Sequence, residues 1–415
     1  MPKLEDVVIR MQQNSNNMSK FTQIEWLFPK QIVWEEWLQQ RADIPFSPRV
    51  IEYLNALSAS LLKDQQSRMY PDVITFAFFC RKANLLKLSE EYKNNELRLG
   101  RGMIFHIAPS NVPINFAYSL VAGLLTGNFN VVRVSSKQFP QVDLVIKHIA
   151  NIAESYTEVS NRIALVRYEH TSNANEIFSA ESNVRMIWGG DNTIQTLRQS
   201  RTPARSFDVC FADRYSMAVI NANAMVSETN IRSIAEKFYN DTYLFDQNAC
   251  SAPHLVVWLG TEENIAKAKE MFWVELQQLV DAKYALQDVL AVDKLTAFYR
   301  QAVKMDIRKV NSANNALQRV ELSTLDNEID DYRCAGGYFT EYTAQTLGEI
   351  NPIIKNKYQT LAYYGLTESE INDFVLNNRI VGFDRIVPFG ETTSFSLTWD
   401  GYNLVNTLTR VVSVK

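Results

Sequence analysis

From residue 102 onward, short runs of β-branched and apolar residues alternate with stretches whose apolar positions recur every three to four residues. The runs at 103–107, 131–134, 163–167, 184–188, 207–211 and 217–220 predict strands, and the stretches at 114–125, 141–154, 173–180 and 192–199 predict helices. Strands that are apolar throughout and separated by amphipathic helices belong to a parallel sheet covered on both faces. The expected fold class is therefore α/β, with a doubly wound nucleotide-type domain. Ahead of it, Ser47-Pro48 supplies a helix start, and Val50, Leu54, Leu57 and Leu61 repeat at helical spacing. Residues 1–100 thus read as a helical segment packed on the main body, with Cys80 closing the apolar run 73–80 as a core residue. Further on, 231–244 predicts a helix, 255–259 a strand, and 262–286 and 293–303 long amphipathic helices. The polar, aperiodic stretch 314–331 predicts surface loops.

No G-x-G-x-x-G follows any of these strands, so the usual dinucleotide loop is absent. Two strands end instead in Ala108-Pro109-Ser110-Asn111-Val112-Pro113 and in Trp188-Gly189-Gly190-Asp191-Asn192. Both loops fall at carboxyl ends of strands, where open α/β sheets bind ligands.

Composition narrows the function classes. The 415 residues are 46% hydrophobic and 21% charged, an ordinary globular balance with room for two or three domains. A net charge of -4, with basic residues scattered, predicts no nucleic-acid partner. No apolar run approaches the ~18 residues of a membrane span, and the first ten residues lack the charged start and apolar core of a secretory signal. The expectation is a cytoplasmic protein. Its four cysteines form no C-x-x-C pair, which predicts reduced thiols, with neither a disulfide framework nor a zinc site.

One thiol stands out by its surroundings. Cys250 lies in Phe245-Asp246-Gln247-Asn248-Ala249-Cys250-Ser251, between a helical run and a strand. A thiol at a polar turn beside amide side chains is open to substrate and to activation as thiolate, whereas most free cysteines are small buried hydrophobes. Position alone leaves both readings open. His254 begins the next strand, and four extended residues carry a side chain about 13 Å away, a poor distance for a Cys/His pair. His106, on the strand before the Asn111 loop, reads as structural; His148 and His170 have no motif around them. Tyr363 and Tyr364 fit either a hydrophobic tunnel or ordinary core.

The loop Pro109-Ser110-Asn111-Val112-Pro113-Ile114-Asn115-Phe116, the stretch Gly127-Asn128-Phe129-Asn130-Val131-Val132-Arg133-Val134-Ser135 and the Cys250 segment occur in the order and spacing of the aldehyde dehydrogenase superfamily. Within it, the chain resembles the LuxC-type acyl-CoA reductases, the reductase component of bacterial luminescence fatty acid reductase. The narrower match rests on Phe245 to Pro253, on Gln359-Thr360-Leu361, on Asp384-Arg385-Ile386-Val387-Pro388 and on Trp399-Asp400-Gly401.

The resemblance implies a Rossmann-type cofactor domain (101–222 with 376–415) and an α/β catalytic domain (223–375). It implies Cys250 as the nucleophile and Asn111 as an amide donor to the oxyanion, which the Cys250 N–H also holds. Arg133 takes the place of a lysine that bonds the adenosine ribose. Ser135-Ser136-Lys137 stands where many NAD-dependent relatives carry a ribose-binding glutamate. Without that carboxylate, and with Arg133 and Lys137 near, a 2′-phosphate is favoured and NADPH is the expected cofactor. Gly189 and Gly190 match the turn that lets a helix N-terminus approach the pyrophosphate. Gln359 and Thr360 fall near a ribose-binding glutamate, though the carboxylate is missing.

Phe211, preceded by Cys210, falls where aldehyde-oxidising relatives carry a glutamate that activates water; Asp213 lies two residues on. Loss of that base favours acyl reduction over hydrolysis. The implied activity is NADPH-dependent reduction of a fatty acyl group to the aldehyde through a cysteine thioester. The donor is acyl-CoA or another activated acyl group, an acyl-activating synthetase is the implied partner, and a homo-oligomer the implied assembly. An oxidising aldehyde dehydrogenase and a non-reducing acyl carrier remain as rivals.

Overall fold

The computed structural model describes residue 21 and residues 23–415 apart from 95, 170 and 311. The first ten residues and His170 lie outside this set. The chain divides into two compact units, residues 1–212 with 402–415, and residues 213–401.

The first unit carries β1 (Glu25–Phe28), β2 (Arg98–Gly100), β3 (Met103–Ile107), β4 (Phe129–Arg133), β5 (Ile163–Arg167), β6 (Val184–Trp188) and β7 (Phe207–Phe211). Six of these form a sheet in the order β1-β5-β4-β3-β6-β7. All pairs are parallel except β1 with β5. From β5 to β7 this is the doubly wound order, and the strand sequence reverses between β3 and β6. The central strands are buried along their whole length, which is why they read as unbroken apolar runs. β4 starts two residues earlier than the apolar pattern does. Asn130 hides its polarity by accepting from His106 Nε2 at 3.0 Å, while His106 Nδ1 takes the Ser119 hydroxyl at 2.7 Å. Burial pushes His106 down to about 4, so it is a neutral core residue. His148 is tied to Ser60 and Asp64, at 2.7 and 3.2 Å.

The first hundred residues are not purely helical. β1 closes one edge of the sheet, and β2 pairs with the strand Thr409–Val411 from the far end of the chain. The helix Pro48–Lys63 follows the expected spacing, and the apolar run 73–80 falls in the helix Pro71–Phe79 and its cap, with Cys80 fully buried and its thiol pushed well up by desolvation.

The second unit holds β8 (Tyr215–Asn221), β9 (Pro253–Leu259), β10 (Ile307–Val310), β11 (Gln318–Leu322), β12 (Tyr338–Ala344), β13 (Tyr358–Tyr364) and β14 (Arg385–Pro388). They form a sheet in the order β10-β11-β12-β9-β8-β13-β14, parallel except at the β10 edge.

This corrects three expectations. β8 belongs here and not in the cofactor domain, because it pairs with β9 and β13. Residues 376–401 also belong here, since β14 extends the same sheet and only 402–415 returns to the first unit. The stretch 314–331 contains β11, whose alternating side chains Gln318, Val320 and Leu322 are buried. Among the described residues no helix is long and apolar enough to cross a membrane, and no group of His, Cys, Asp and Glu is arranged to hold a metal.

Candidate active site

In the second unit Cys250 lies in the turn that leads into β9, at the amino end of the parallel strands. Its backbone carbonyl accepts from Ser216 Oγ at 2.7 Å, and the same hydroxyl oxygen accepts from the Thr360 N–H at 3.1 Å. Ser216 is the second residue of β8 and Thr360 lies in β13, so one buried hydroxyl ties the cysteine to two adjacent strands of the sheet.

The turn itself is held by Gln247. Asp246 and Gln247 both adopt left-handed backbone conformations, φ 52° and 60°, which few non-glycine residues enter without compensation. Compensation comes from the buried Gln247 side chain. Its Nε2 donates to the carbonyls of Pro253 (2.8 Å) and Tyr338 (3.1 Å), and its Oε1 accepts from the N–H groups of Gly337 (2.9 Å) and Tyr338 (3.1 Å). Asp246 adds two more ties, its carbonyl to Gly336 N–H at 2.9 Å and its carboxylate to Tyr284 O–H at 2.8 Å. Gly337 has to be glycine: its φ is 87°, and a Cβ would stand 2.3 Å from the Ala316 carbonyl oxygen.

Side chains from distant segments converge on the thiol. The Gln359 amide hydrogen-bonds both Cys250 and the Asp400 carboxylate. Asp400 is buried, and Arg214 Nε stands 3.7 Å from it while also donating through Nη2 to Asp384 at 2.7 Å. Arg385 lies with its guanidinium carbon 4.2 Å from the Trp399 ring centre and donates to the carbonyls of Glu391, Thr392 and Ser394. Gln359, Asp384, Arg385, Trp399 and Asp400 are thus brought into one cluster with Cys250. Gln247, Ser216 and Arg214 complete it, and the sequence gives no local signal for the roles of these three.

Cys250 is partly exposed, yet protein atoms pack densely round its thiol. Desolvation, and then the Asp400 charge, push it up to about 11, against the Gln359 hydrogen bond and Arg214, which favour the thiolate. At pH 7 about one thiol in ten thousand is then ionised. Alkylation of Cys250 by iodoacetamide is expected to rise about tenfold per pH unit between pH 7 and 10, read by peptide mass spectrometry. A plateau near pH 8 would contradict this electrostatic picture.

His254 is held neutral. It is buried in β9 and stacked on Tyr215 with ring centres 5.8 Å apart, and desolvation, followed by the Arg333 charge, pushes it down to about 3.

In the first unit the remaining sequence-derived residues lie at carboxyl ends of strands. Asn111 is exposed in the loop between β3 and the helix Asn115–Leu125. Gly189 and Gly190 follow β6 and start the helix Asp191–Arg198, and a Cβ on Gly190 would meet nothing within 4 Å. These two loops flank the reversal point between β3 and β6.

Arg133 ends β4, buried, with its guanidinium carbon 4.9 Å from the Tyr168 ring centre and its Nε without a hydrogen-bond partner. Beside it Arg167 ends β5. Its Nε donates to the Ser135 carbonyl at 3.2 Å and its Nη2 has no hydrogen-bond partner, with Asp143 4.0 Å away. Ser135 Oγ accepts from the Lys137 N–H at 3.1 Å, and Ser136 and Lys137 are exposed. Two buried guanidinium nitrogens without hydrogen-bond partners, beside an exposed serine and lysine, form a donor set that fits a phosphate, with the Glu25 and Asp143 carboxylates facing the Arg167 guanidinium at 3.5 and 4.0 Å. Arg167 was not singled out by sequence, because it reads as the last residue of an apolar run. Phe211 is buried, stacked on Trp188 with ring centres 3.7 Å apart and edge-on to Tyr402 at 5.8 Å, so this position presents an aromatic wall and no carboxylate. Cys210 is half-buried, with Arg198 Nη2 3.6 Å from its sulfur.

Among solved structures, the glyceraldehyde-3-phosphate dehydrogenase GapN from Methanocaldococcus jannaschii, complexed with NADP, matches with a TM-score of 0.59 at 13% identity, over 91% of this chain and 90% of that one. Lactaldehyde dehydrogenase from Escherichia coli matches with a TM-score of 0.59 at 12% identity, over 91% and 88%. The fold is that of the aldehyde dehydrogenases, with a Rossmann-type unit.

In sequence, the long-chain acyl-protein thioester reductase 2 of Photobacterium leiognathi is 24% identical over 227 residues, 54% of this chain and 44% of that protein. The long-chain acyl-protein thioester reductase of Aliivibrio fischeri is 23% identical over 338 residues, 75% and 64%. The chain spans less than two thirds of the length of these relatives. The family model described as acyl-CoA reductase (LuxC) matches residues 81–411, most of the sequence. The chain belongs to the acyl-CoA reductase (LuxC) family.

Proposed function

We propose that this protein reduces an activated fatty acyl group to the aldehyde through a thioester on Cys250. The observation that carries the reading is the thiol's setting: a cysteine clamped at the amino end of β9, with the Gln359 amide on its sulfur and the Asp400, Arg214 and Arg385 charges around it. The family supports the substrate class, since relatives of this chain are named long-chain acyl-protein thioester reductases.

In this reading the Cys250 sulfur attacks the acyl carbonyl carbon, the donor's thiol leaves with a proton, and the acyl group rests on Cys250. Charge on the carbonyl oxygen is held by the Cys250 N–H and by the Asn111 amide, a role carried over from the family; losing such a donor typically costs about 3 kcal/mol of transition-state stabilisation. A nicotinamide cofactor, when bound, would supply the hydride that adds to the acyl carbon, giving a tetrahedral thiohemiacetal on Cys250 as the precursor of the aldehyde. The C–S bond then breaks, and the amide of Gln359 meets the returning thiolate before it is reprotonated. Phe211, stacked on Trp188 and edge-on to Tyr402, falls at the sequence position where aldehyde-oxidising relatives carry the water-activating glutamate, and the loss of that base favours reduction over hydrolysis. The donor is an acyl-CoA or an acyl-protein, with an acyl-activating synthetase as the partner that supplies it.

For the cofactor the proposal is NADPH, its 2′-phosphate taken by Arg133 with Arg167, Ser135, Ser136 and Lys137, and its pyrophosphate by the Gly189-Gly190 turn. Arg133→Met is expected to raise KM for NADPH about 10- to 100-fold while changing KM for NADH little. Equal effects on both cofactors would assign Arg133 to the shared ribose and not to the phosphate. The function is tested by a chain-length series of acyl-CoAs incubated with NADPH or NADH, with aldehyde measured by gas chromatography. Aldehyde at one or more chain lengths is the expected product; free acid without aldehyde would defeat the proposal.

A further inference from the structure

β13 is bulged where it passes the candidate nucleophile. Between the pairs Tyr358 with Tyr215 and Leu361 with Met217, it sets two residues, Gln359 and Thr360, against the single Ser216 of β8. A bulge re-aims side chains that regular alternation places elsewhere. Here the fully buried Gln359 amide meets both Cys250 and Asp400.

An amide has two unlike ends, and only its N–H end favours a thiolate. Which end faces the sulfur is therefore a chemical choice, and Gln359 does not make it alone. Its Oε1 is buried without a hydrogen-bond partner among the described residues, so no donor on that side holds the amide in place. Asp400 decides from the other side. A carboxylate accepts and does not donate, so it takes Nε2 and leaves the second N–H of that nitrogen for the sulfur.

Asp400 is itself tightly placed. Its backbone lies in the left-handed region, φ 49°, and its side chain is buried. The two carboxylate oxygens have different partners: Oδ1 accepts from Gln359, and Oδ2 faces Arg214 Nε at 3.7 Å. Arg214 is fixed in turn by Asp384, which accepts from its Nη2 at 2.7 Å. The next residue, Gly401, has φ 74° and runs so close to Asp384 that a Cβ there would stand 2.9 Å from Oδ1.

We propose that Asp400 is a positioning residue that selects the donor face of the Gln359 amide for Cys250. The proposal rests on the thioester reading above, in which the thiohemiacetal expels a thiolate that must meet an N–H and not a carbonyl oxygen. Asparagine is the informative substitute. It has the same size and tolerates the left-handed backbone, but it has one oxygen where aspartate has two. With that oxygen turned to Arg214, its Nδ2 faces Gln359, which then presents Oε1 to it and to the sulfur.

Wild type, Asp400→Asn, Gln359→Met and the double variant decide this with two readouts. The first, iodoacetamide alkylation of Cys250 at pH 8 followed by peptide mass spectrometry, needs neither substrate nor cofactor. In the Gln359→Met background only the Asp400 charge is lost, and Asp400→Asn should speed alkylation about tenfold. Beside Gln359 the turned amide opposes that gain, so Asp400→Asn should change the rate about twofold or less. The second readout is kcat for acyl-CoA reduction with NADPH, expected about 30-fold lower in each single variant and no lower in the double. Asp400→Gly, also at ease in this backbone, should repeat the kcat pattern. Equal acceleration of alkylation in both backgrounds would make Asp400 a bare charge and overturn the proposal, as would kcat losses that multiply in the double variant. A wild type that forms no aldehyde defeats the thioester reading, and the alkylation comparison then judges Asp400 by itself.

Discussion

Cys250→Ala is expected to stop acyl-dependent NADPH oxidation, leaving turnover at least about a thousandfold below wild type. The size of the loss follows from the role proposed for the sulfur. Without it no acyl-enzyme forms, and hydride transfer to a free donor has neither a covalent anchor nor a leaving group held in place. The variant should fold normally, because Ser216 holds the Cys250 carbonyl and not its side chain. NADPH affinity, measured by fluorescence titration, should therefore be unchanged while turnover disappears. Cys210→Ala and Cys334→Ala serve as controls and should keep most of the activity.

The second large effect belongs to a residue that touches no substrate. Gln247→Ala leaves two N–H groups and two carbonyls, those of Gly337, Tyr338 and Pro253, without their buried partner. Each unsatisfied group costs about 1–3 kcal/mol; water entering the vacated space recovers part of this, so the expected net destabilisation is about 3 kcal/mol. The loss should be local before it is global. Hydrogen exchange is expected to accelerate first at residues 246–252 and 336–338, and kcat to fall about a hundredfold as the cysteine leaves its place over β9. Gln247→Glu tests the same point, since a carboxylate accepts from the two N–H groups but offers nothing to the two carbonyls. It should recover little of the lost activity. Full activity in either variant would show that the turn is held by other contacts.

The sequence and the structure differ in an instructive way. β3, β5 and β6 fall at the bounds the apolar runs predict, because strands buried on both faces announce themselves residue by residue, and the half-buried edge strand β7 also matches its predicted bounds. Which sheet a strand joins is not local. β8 looks like its predecessors, yet it pairs with β9, where Ser216 meets Pro253, and with β13, where Tyr215 meets Tyr358 from far along the chain. The same holds for the site. Gln359, Arg385 and Asp400 were legible only as parts of quoted motifs, and their meeting around one thiol is a property of the sheet's amino end. Gln247 stood in plain view beside Cys250, but four bonds to segments around 253 and 338 leave no trace in spacing. The helix Asp288–Lys304 shows the limit most clearly: its apolar residues fall on both sides, Leu290 and Phe298 half-buried, Val292 and Tyr299 exposed, and periodicity does not say which side faces in.

The central claim, that Cys250 carries the acyl group and surrenders it to hydride, is tested most directly by a two-step chase. Protein is mixed with a long-chain acyl-CoA and no cofactor, quenched in acid, and weighed by intact and peptide mass spectrometry; NADPH is then added to a parallel sample before the quench. The account expects a single acyl adduct on the Cys250 peptide in the first sample, and in the second its loss with an equal yield of aldehyde. An adduct that survives NADPH, one that discharges as free acid, or one that resides on another residue would contradict it.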